Sequence, residues 1–460
     1  MKGKMKEYDV VVIGSGAGMI IVEGALSQGL NVALVDKGPL GGTCLNVGCI
    51  PSKMLIYPAD RVAEIQEAKK LGIDAEITNV DFNFIMERMR RTVKEGQEHM
   101  RRGIKVTRDL DFYEGEGHFT EDYTMEIKGK RIKGQKMFIA SGARPSIPPI
   151  KGIDTIEYLT NETVLNLKKR PESIIIIGGG YIAAEYGHFF AAMGTDVTIV
   201  QRRDRLVPNE EPEISELLTR EMAKRMTIYT NTEVSEVKKD GNGYTVIGRD
   251  KITGDEKEFT AEHILIATGR KSNSDLLKVE ATGVETDEGG FIKVNDYLET
   301  SKENIWALGD AIGKHMFRHV ANREALVAWH NSIHTEKVKM DYRAIPHAVF
   351  SHPQIASVGL TEEQAKKDYE ILVGEAKYSE VAKGEAMMET ESFAKAIVDK
   401  HSQKILGFHI IGPYAPILIQ EVITTMANER DMMFIAKGMH IHPALPELIL
   451  ATLQNLREPE

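Results

Sequence analysis

Two cysteines stand close together in the segment GGTCLNVGCIPSK, which spans residues 41–53. Cys44 and Cys49 are the only cysteines among the 460 residues of the chain. A strand-like run precedes them at residues 32–36, and a helix that tolerates Pro51 in its first turn is expected to begin near Cys49. A thiol at a helix N-terminus is favoured as the thiolate. The pattern predicts a dithiol/disulfide couple that opens and closes.

Buried structural thiols and a zinc site are the alternatives for this cysteine pair. Free cysteine is often simply part of a core, whereas structural disulfides are rare in the reducing cytosol. A zinc site usually needs four ligands, and no histidine lies close by in the sequence to complete the set. A redox couple is therefore the favoured interpretation, and no metal site is expected.

A strand, a glycine turn, a helix and a second strand are predicted in residues 8–36. The apolar run at residues 8–13 is typical of a parallel strand buried on both faces. Glycines at 14, 16 and 18 let the backbone approach a pyrophosphate, and Asp36 would bind a pair of ribose hydroxyls. Met19 stands at the third glycine position of this fingerprint, so close helix–strand packing there depends on whether Gly18 relieves the crowding.

Residues 172–203 repeat this arrangement, which predicts a second dinucleotide. The strand at 173–177 leads to a glycine turn, and a helix is predicted from Ala184 to about Met193. Gln201, Arg202 and Arg203 follow the next strand, where an acid would bind the 2′-hydroxyl of NAD. Guanidinium groups suit the 2′-phosphate of NADP. NADPH is therefore favoured, with NADH as the alternative if the two arginines are surface charges.

The C-terminal residues 341–460 contain no glycine fingerprint and are predicted to form a separate α+β domain. Within them, His442 and Glu447 are separated by Pro443 and Pro446. Two prolines suit a fixed turn in which the carboxylate orients the imidazole, and such a pair makes a general acid/base. A surface histidine without this function is the alternative.

Length, charge and apolar content restrict the classes of function. A chain of 460 residues is expected to hold roughly three domains. The net charge of −10 argues against a nucleic-acid or anionic-membrane surface. The apolar runs fall short of the ~20 residues of a membrane span. The first residues contain no apolar stretch typical of a secretory signal, so a cytoplasmic protein is expected.

Together these segments resemble the FAD-dependent pyridine-nucleotide disulfide oxidoreductases, which include glutathione reductase, dihydrolipoamide dehydrogenase and mercuric reductase. The resemblance covers nearly the whole chain, and GGTCLNVGCIPSK is its most specific part. The segments IHPALPE, FRHVANREA and ATGRKSNSDLL are most similar to mycothione reductase. The implied fold is α/β, with two Rossmann-like dinucleotide-binding domains and a C-terminal α+β dimerisation domain.

The resemblance implies a role for each catalytic residue. Cys44 would attack the substrate disulfide, and Cys49 would face the flavin. His442, held by Glu447, would protonate the leaving thiolate from the other subunit of a homodimer with shared active sites. Lys53 would pair with Glu185 near the flavin, and Tyr181 would cover the nicotinamide pocket.

The cofactors implied are FAD and NADPH, bound in separate domains. Residues 1–150 and 275–340 would form the FAD-binding domain, residues 151–274 the NAD(P)-binding domain and residues 341–460 the dimerisation domain. The residues expected to bind FAD are Gly14, Gly16, Gly18, Asp36, Lys37, Gly42, Thr43, Ser141, Gly142, Gly309, Asp310 and Phe317. Those expected to bind NADPH are Gly178, Gly180, Tyr181, Ile182, Gln201, Arg202, Arg203 and Gly269.

The favoured function is an NADPH-dependent reductase of a low-molecular-weight disulfide, with mycothione as the type. The NAD-linked dihydrolipoamide dehydrogenase is the alternative, although Gln201 and Ala183 argue against it. Mercuric reductase is disfavoured because the C-terminus LQNLREPE lacks a cysteine pair. A redox-inactive flavoprotein is an alternative of another class, and an oxidase that uses the flavin alone is a third.

Overall fold

The computed structural model describes residues 5–241 and 243–459. The chain divides into two compact units. The first unit comprises Met1–Ser52, Glu87–Ser146 and Gly269–Asp341, and the second comprises Lys53–Met86, Ile147–Thr268 and Tyr342–Glu460. These units are defined by contacts within the chain and not by bound cofactors. The predicted boundaries between the FAD-binding, NAD(P)-binding and dimerisation domains therefore stay a prediction.

Strands and helices alternate through much of the chain, as in an α/β fold. The strands of the described residues are β1 (Lys6–Ile13), β2 (Val32–Asp36), β3 (Leu110–Glu114), β4 (Gly117–Glu121), β5 (Thr124–Ile127), β6 (Lys130–Ile139), β7 (Ala143–Pro145), β8 (Ser173–Ile177), β9 (Asp196–Val200), β10 (Thr227–Tyr229), β11 (Thr232–Asp240), β12 (Gly243–Asp250), β13 (Glu256–Ala261), β14 (His263–Ile266), β15 (Arg270–Ser272), β16 (Ile305–Ala307), β17 (Pro346–Val349), β18 (Ile355–Gly359), β19 (Ile371–Lys377), β20 (Phe393–Asp399) and β21 (Ile405–Ile411). The α-helices are α1 (Gly18–Ser27), α2 (Gly42–Asn46), α3 (Cys49–Glu67), α4 (Phe82–Val106), α5 (Tyr181–Ala192), α6 (Pro212–Met222), α7 (Ser274–Leu277), α8 (Arg318–Ile333), α9 (Glu362–Ala365), α10 (Ala382–Ala386), α11 (Ala415–Leu418), α12 (Gln420–Ala427), α13 (Met433–Ala436) and α14 (Glu447–Gln454).

The first unit is built on one large sheet. Strands β3, β2, β1 and β6 lie side by side and parallel, and β16 also pairs with β6. The antiparallel hairpin β4–β5 extends the sheet from β6. The apolar side chains of β1 and β2 are almost fully buried, which explains their continuous hydrophobic runs. The predicted first dinucleotide unit is thus β1–α1–β2.

Gly18 brings α1 against this sheet. A Cβ atom on Gly18 would lie 2.8 Å from Val12 Cγ1 and 3.4 Å from Ala140 Cβ, so only glycine permits this approach. Met19 is half-buried at the next position of the helix. The close helix–strand contact is therefore made at Gly18, and Met19 leaves it intact.

The second unit contains a parallel sheet in the order β10-β9-β8-β14 and an antiparallel sheet in the order β11-β12-β13. The second dinucleotide unit is β8–α5–β9. The prediction that its helix begins at Ala184 is wrong, because α5 begins at Tyr181. Gly180 is extended (φ −81°, ψ −172°) and ends the glycine turn, so the helix starts at the next residue, Tyr181.

The C-terminal part of the second unit has the predicted α+β character. Its antiparallel sheet has the order β17-β18-β21-β20-β19. Phe408 and Tyr378 are fully buried in its core together with Leu448 of α14. None of the helices in the described part of the chain combines the length and the apolar composition that a bilayer span needs.

Candidate active site

The segment that carries the two thiols rests on the first glycine turn. Gly41 and Gly42 both have positive φ angles, +107° and +65°. A Cβ atom on Gly42 would lie 2.8 Å from Gly16 Cα, so the two glycine segments are in direct contact. The amide of Gly41 also donates to Ser15 Oγ at 2.8 Å. These contacts place Cys44 in α2, directly after the turn.

The two cysteines are not joined in a disulfide, and Cys44 is half-buried whereas Cys49 is exposed. Cys49 is the first residue of α3, so it is the thiol that occupies the predicted helix N-terminus. A hydrogen bond to Cys49, together with burial, raises the pKa of the Cys44 thiol, and the charge of Arg318 opposes this rise. In the dithiol form, Cys44 therefore keeps its proton.

Asn46 holds the turn that leads into Cys44. Its Nδ2 donates to the carbonyl oxygens of Pro39 (2.9 Å), Leu40 (3.0 Å) and Gly42 (2.9 Å). Gln97 Nε2 of α4 donates to Asn46 Oδ1 at 2.8 Å, and this bond orients the amide so that its NH₂ group faces the three carbonyls. Sequence reasoning missed both residues, although Asn46 lies inside the thiol segment itself.

The predicted FAD turn has the steric properties of a pyrophosphate cradle. Gly14 has φ +105°, and a Cβ atom there would lie 2.2 Å from the carbonyl oxygen of Ala140. Asp36 Oδ2 accepts the amide of Ser15 at 2.6 Å, and its Oδ1 accepts the amide of Gly38 at 2.7 Å. Asp36 thus shapes the turn, and each carboxylate oxygen retains further acceptor capacity for a ribose.

A second polar edge of the first unit follows β16. Burial raises the pKa of Asp310, and Arg270, at 3.4 Å, opposes the rise. The amide of Gly309 donates to the fully buried Glu324 at 2.7 Å. Ser141 Oγ is buried without a hydrogen-bond partner among the described residues, which suits a polar ligand. The other predicted FAD residues, Lys37, Thr43, Gly142 and Phe317, belong to the same unit.

Sequence reasoning missed Glu324, although the sequence contained a signal. This acid stands in a stripe of α8 that is otherwise apolar, with Val320, Ala321 and Ala325 all buried. An acid in such a stripe is buried only if it is paired. The observed partner is the Gly309 amide, so Glu324 fixes the residue that precedes Asp310.

The second glycine turn repeats the steric solution of the first. Gly178 has φ +119°, and a Cβ atom there would lie 2.3 Å from the carbonyl oxygen of Ala267. Gln201 is buried against Gly179, whereas Arg202 and Arg203 are exposed. The remaining residues predicted to bind NADPH are Gly180, Tyr181 and Ile182 in the second unit and Gly269 in the first.

Lys53 and Glu185 form the predicted ion pair within the second unit. Lys53 Nζ lies 2.8 Å from Oε2 and 2.9 Å from Oε1 of the buried Glu185. The amide of Phe350 donates to Oε1 at 3.1 Å, and the Lys53 ammonium lies 4.4 Å from the centre of the Phe350 ring. Glu185 thus fixes the position of the Lys53 ammonium group.

His442 and Glu447 also form the predicted pair. His442 Nδ1 donates to Glu447 Oε1 at 2.9 Å, and the amide of Ala444 donates to Oε2 at 3.0 Å. The hydrogen bond from His442, followed by that from Ala444, lowers the pKa of Glu447, which stays ionised and orients the ring. The imidazole is 72% exposed in the single chain, and its Nε2 is the atom left to exchange a proton.

Comparison with known proteins identifies relatives along the whole chain. The family described as pyridine nucleotide-disulphide oxidoreductase matches residues 8–325, and its dimerisation domain matches residues 345–452. Mycothione reductase of Mycobacterium tuberculosis is 36% identical over 98% of this chain and 100% of its own length. Dihydrolipoyl dehydrogenase of Bacillus subtilis is 34% identical over 96% of this chain and 95% of its own length.

Solved structures agree with these relatives. The HOCl-induced flavoprotein disulfide reductase RclA of Escherichia coli superposes with a TM-score of 0.86 at 27% identity, over 97% of this chain and 99% of that chain. A Cu(II) complex of the same protein superposes with a TM-score of 0.87, over 98% of this chain and 99% of that chain. The fold and the paired thiols define an oxidoreductase that acts on sulfur.

The chain belongs to the pyridine nucleotide-disulphide oxidoreductase family, as an enzyme whose relatives use FAD and NAD(P)H. The cradle at Gly14 and the unpartnered Ser141 Oγ fit such a cofactor in the first unit. The match at residues 345–452 supports a homodimer.

Proposed function

We propose that this enzyme is an NADPH-dependent reductase of a low-molecular-weight disulfide of the mycothione type. The observation that carries the proposal is the unequal thiol pair, in which the half-buried Cys44 hydrogen-bonds to the exposed Cys49. Two thiols in contact, one of them at a helix N-terminus, can exchange with an external disulfide and then close on each other.

Cys44 is the attacking thiol in this proposal. After losing its proton, it attacks one sulfur of the substrate disulfide, and the first substrate thiol leaves. Cys49 then attacks Cys44 in the mixed disulfide, forms the Cys44–Cys49 disulfide and releases the second substrate thiol. The dithiol is oxidised and the substrate is reduced to two thiols. Bound NADPH and FAD supply the two electrons that restore the dithiol.

His442 and Glu447 act on protons in this cycle. Because the pKa of Cys44 is raised, the thiol needs a base, and the departing substrate sulfur needs an acid. An imidazole held by a carboxylate serves both purposes, with an effect on rate of about 10²–10⁴-fold. We assign both roles to His442 of the partner subunit, so that each active site is shared between two chains.

A dimer of this kind has support from the C-terminal surface. Tyr414, Ile417, Phe434 and Ile441 are large apolar side chains that are each at least half exposed in the single chain. Apolar groups of this size on the domain matched as a dimerisation domain suit a self-complementary interface. The predicted division into FAD-binding, NAD(P)-binding and dimerisation domains is part of this proposal, as is a cytoplasmic site of action.

Arg202 and Arg203 support NADPH as the electron donor. Both are exposed after β9, and Arg203 Nη1 makes one hydrogen bond, of 3.3 Å, to Asn209. Two flexible guanidinium groups can close on a 2′-phosphate, whereas a 2′-hydroxyl gains little from them. Replacing both by glutamine should raise the KM for NADPH roughly 10- to 100-fold and leave the KM for NADH unchanged. R220Q, on the exposed face of α6, is the matched control.

The test of the function is steady-state oxidation of NADPH and of NADH against a panel of oxidants. The panel contains mycothiol, coenzyme A and glutathione disulfides and lipoamide, with Hg(II) and Cu(II) salts added because related proteins are named for mercury reduction or were solved with copper. Turnover with NADPH and one thiol disulfide would support the proposal. Dominant activity with NADH and lipoamide would instead assign the chain to dihydrolipoyl dehydrogenases.

A further inference from the structure

Arg318 is a cation at the first glycine turn with no assigned role. It is the first residue of α8 and is half-buried in the first unit. A Cβ atom on Gly16 would lie 3.7 Å from Arg318 Nη1 and 3.9 Å from Gly42 Cα. The guanidinium group therefore borders the place where the two glycine segments meet.

The guanidinium group of Arg318 has no polar partner in the described part of the chain. Within the described residues, the side chain of Arg318 forms neither a hydrogen bond nor an ion pair. The positive charge of Arg318 lowers the pKa of Cys44, but the hydrogen bond with Cys49 and burial raise that pKa by more. A half-buried cation without a carboxylate partner is costly unless an anion compensates its charge.

The glycine turn provides the rest of an anion site. Gly16 lies just before α1, where backbone amides and the helix dipole favour negative charge. We propose that Arg318 binds the pyrophosphate of FAD together with these backbone amides. The planar guanidinium fork can contact two phosphate oxygens together, and it adds a full positive charge that a backbone turn does not carry. The proposal rests on the family's use of FAD and is independent of the disulfide substrate.

Binding of FAD to the apo-protein tests this assignment. Flavin fluorescence would give the Kd for FAD of the wild type, R318Q, R318K and R323Q after FAD removal and refilling. R318Q should bind FAD roughly 10- to 100-fold more weakly, and R318K several-fold more weakly. R323Q is the matched control, since Arg323 is an exposed arginine on the same helix, and its Kd should equal that of the wild type.

Two further measurements separate this role from alternatives. The affinity of the wild type for FAD should fall more steeply with salt than that of R318Q, because one phosphate contact is missing from the variant. An unchanged Kd in R318Q, with only a slower alkylation of Cys44, would overturn the proposal and assign Arg318 to the thiol. If R318Q does not fold, R318K decides, and a Kd equal to that of the wild type at every salt concentration would overturn the proposal.

Discussion

Cys44 and Cys49 differ at the scale of single residues, although they share one short segment. Cys44 is half-buried and forms a hydrogen bond with Cys49, whereas Cys49 starts a helix and is exposed. The raised pKa of Cys44 means that the attack we propose for it would depend on a base, while Cys49 lies at the positive end of α3. Replacing Cys44 and replacing Cys49 should therefore have different effects on the enzyme.

Serine substitutions test this difference. C44S should reduce disulfide turnover about 10³-fold or more, because the attacking sulfur is gone, yet it should keep the long-wavelength absorption band of a Cys49 thiolate beside oxidised FAD. C49S should lose both the turnover and the band. Stopped-flow absorbance under anaerobic conditions measures both effects. Oxidation of NADPH by O₂ that persists in C44S as the main activity would instead identify an oxidase that uses the flavin alone.

At the scale of elements, α4 supports the thiol segment from outside. Gln97 orients the Asn46 amide, and a Cβ atom on Gly96 would lie 2.8 Å from Leu45 Cδ1, so α4 packs closely on α2. The thiol segment therefore owes its shape to a helix about fifty residues further along the chain.

Removal of this support should be measurable without abolishing the chemistry. We expect Q97A to lower disulfide turnover about 10-fold and to shift the reduction potential of the Cys44–Cys49 couple, because an unoriented Asn46 leaves carbonyls of the turn without donors. E95Q, two residues earlier on α4 and exposed, is the control and should behave like the wild type. Equal potentials in Q97A and E95Q would contradict this role.

A buried histidine joins α3 to α5 within the second unit. His188 Nε2 donates to Asp60 Oδ1 at 2.9 Å, and Arg225 Nη1 donates to His188 Nδ1 at 3.0 Å. Burial lowers the pKa of His188 to about 4, so the ring is neutral and both nitrogens are satisfied. This contact lies one helical turn beyond Glu185 on α5 and, like the Lys53–Glu185 pair, fixes α3.

His188 should make stability depend on pH. The unfolded chain binds a proton at this histidine below about pH 6.5, whereas the folded chain does so only below about 4. The stabilisation is therefore complete above pH 6.5 and declines by up to about 3 kcal/mol as the pH falls to 4. Urea unfolding between pH 4 and 7 should show a shallower decline in H188Q. Parallel profiles in H188Q and the wild type would contradict this.

At the scale of the whole molecule, a shared active site predicts complementation between inactive chains. Subunits of C44S and H442Q, dissociated and mixed in equal amounts, should form hybrid dimers that contain one intact site. Random mixing then restores about a quarter of the wild-type turnover, since half of the dimers carry one of two sites. Hybrids without activity would place the thiols and the histidine of one site in the same chain.

The limits of reasoning from local sequence patterns follow from distance along the chain, and the Lys53–Glu185 pair, whose partners lie 132 residues apart, could be predicted only through the family resemblance. The strand–turn–helix units and the thiol segment could be predicted, because neighbouring residues determine them. The His442–Glu447 contact could be predicted too, since only five residues separate the partners. The Asn46–Gln97 and Asp60–His188 contacts span 51 and 128 residues, and neither partner has a local pattern that indicates the other.

Gly14 and Gly178 are under the same steric restriction at equivalent positions of the first and second dinucleotide units. Each would place a Cβ atom within 2.3 Å of a carbonyl oxygen, that of Ala140 at 2.2 Å or that of Ala267 at 2.3 Å. Each of these alanines is followed by a hydroxyl residue and a glycine, in Ala-Ser-Gly and in Ala-Thr-Gly. The same collision is avoided twice at matching places, so the two units are interchangeable in design, as two copies of a single segment would be.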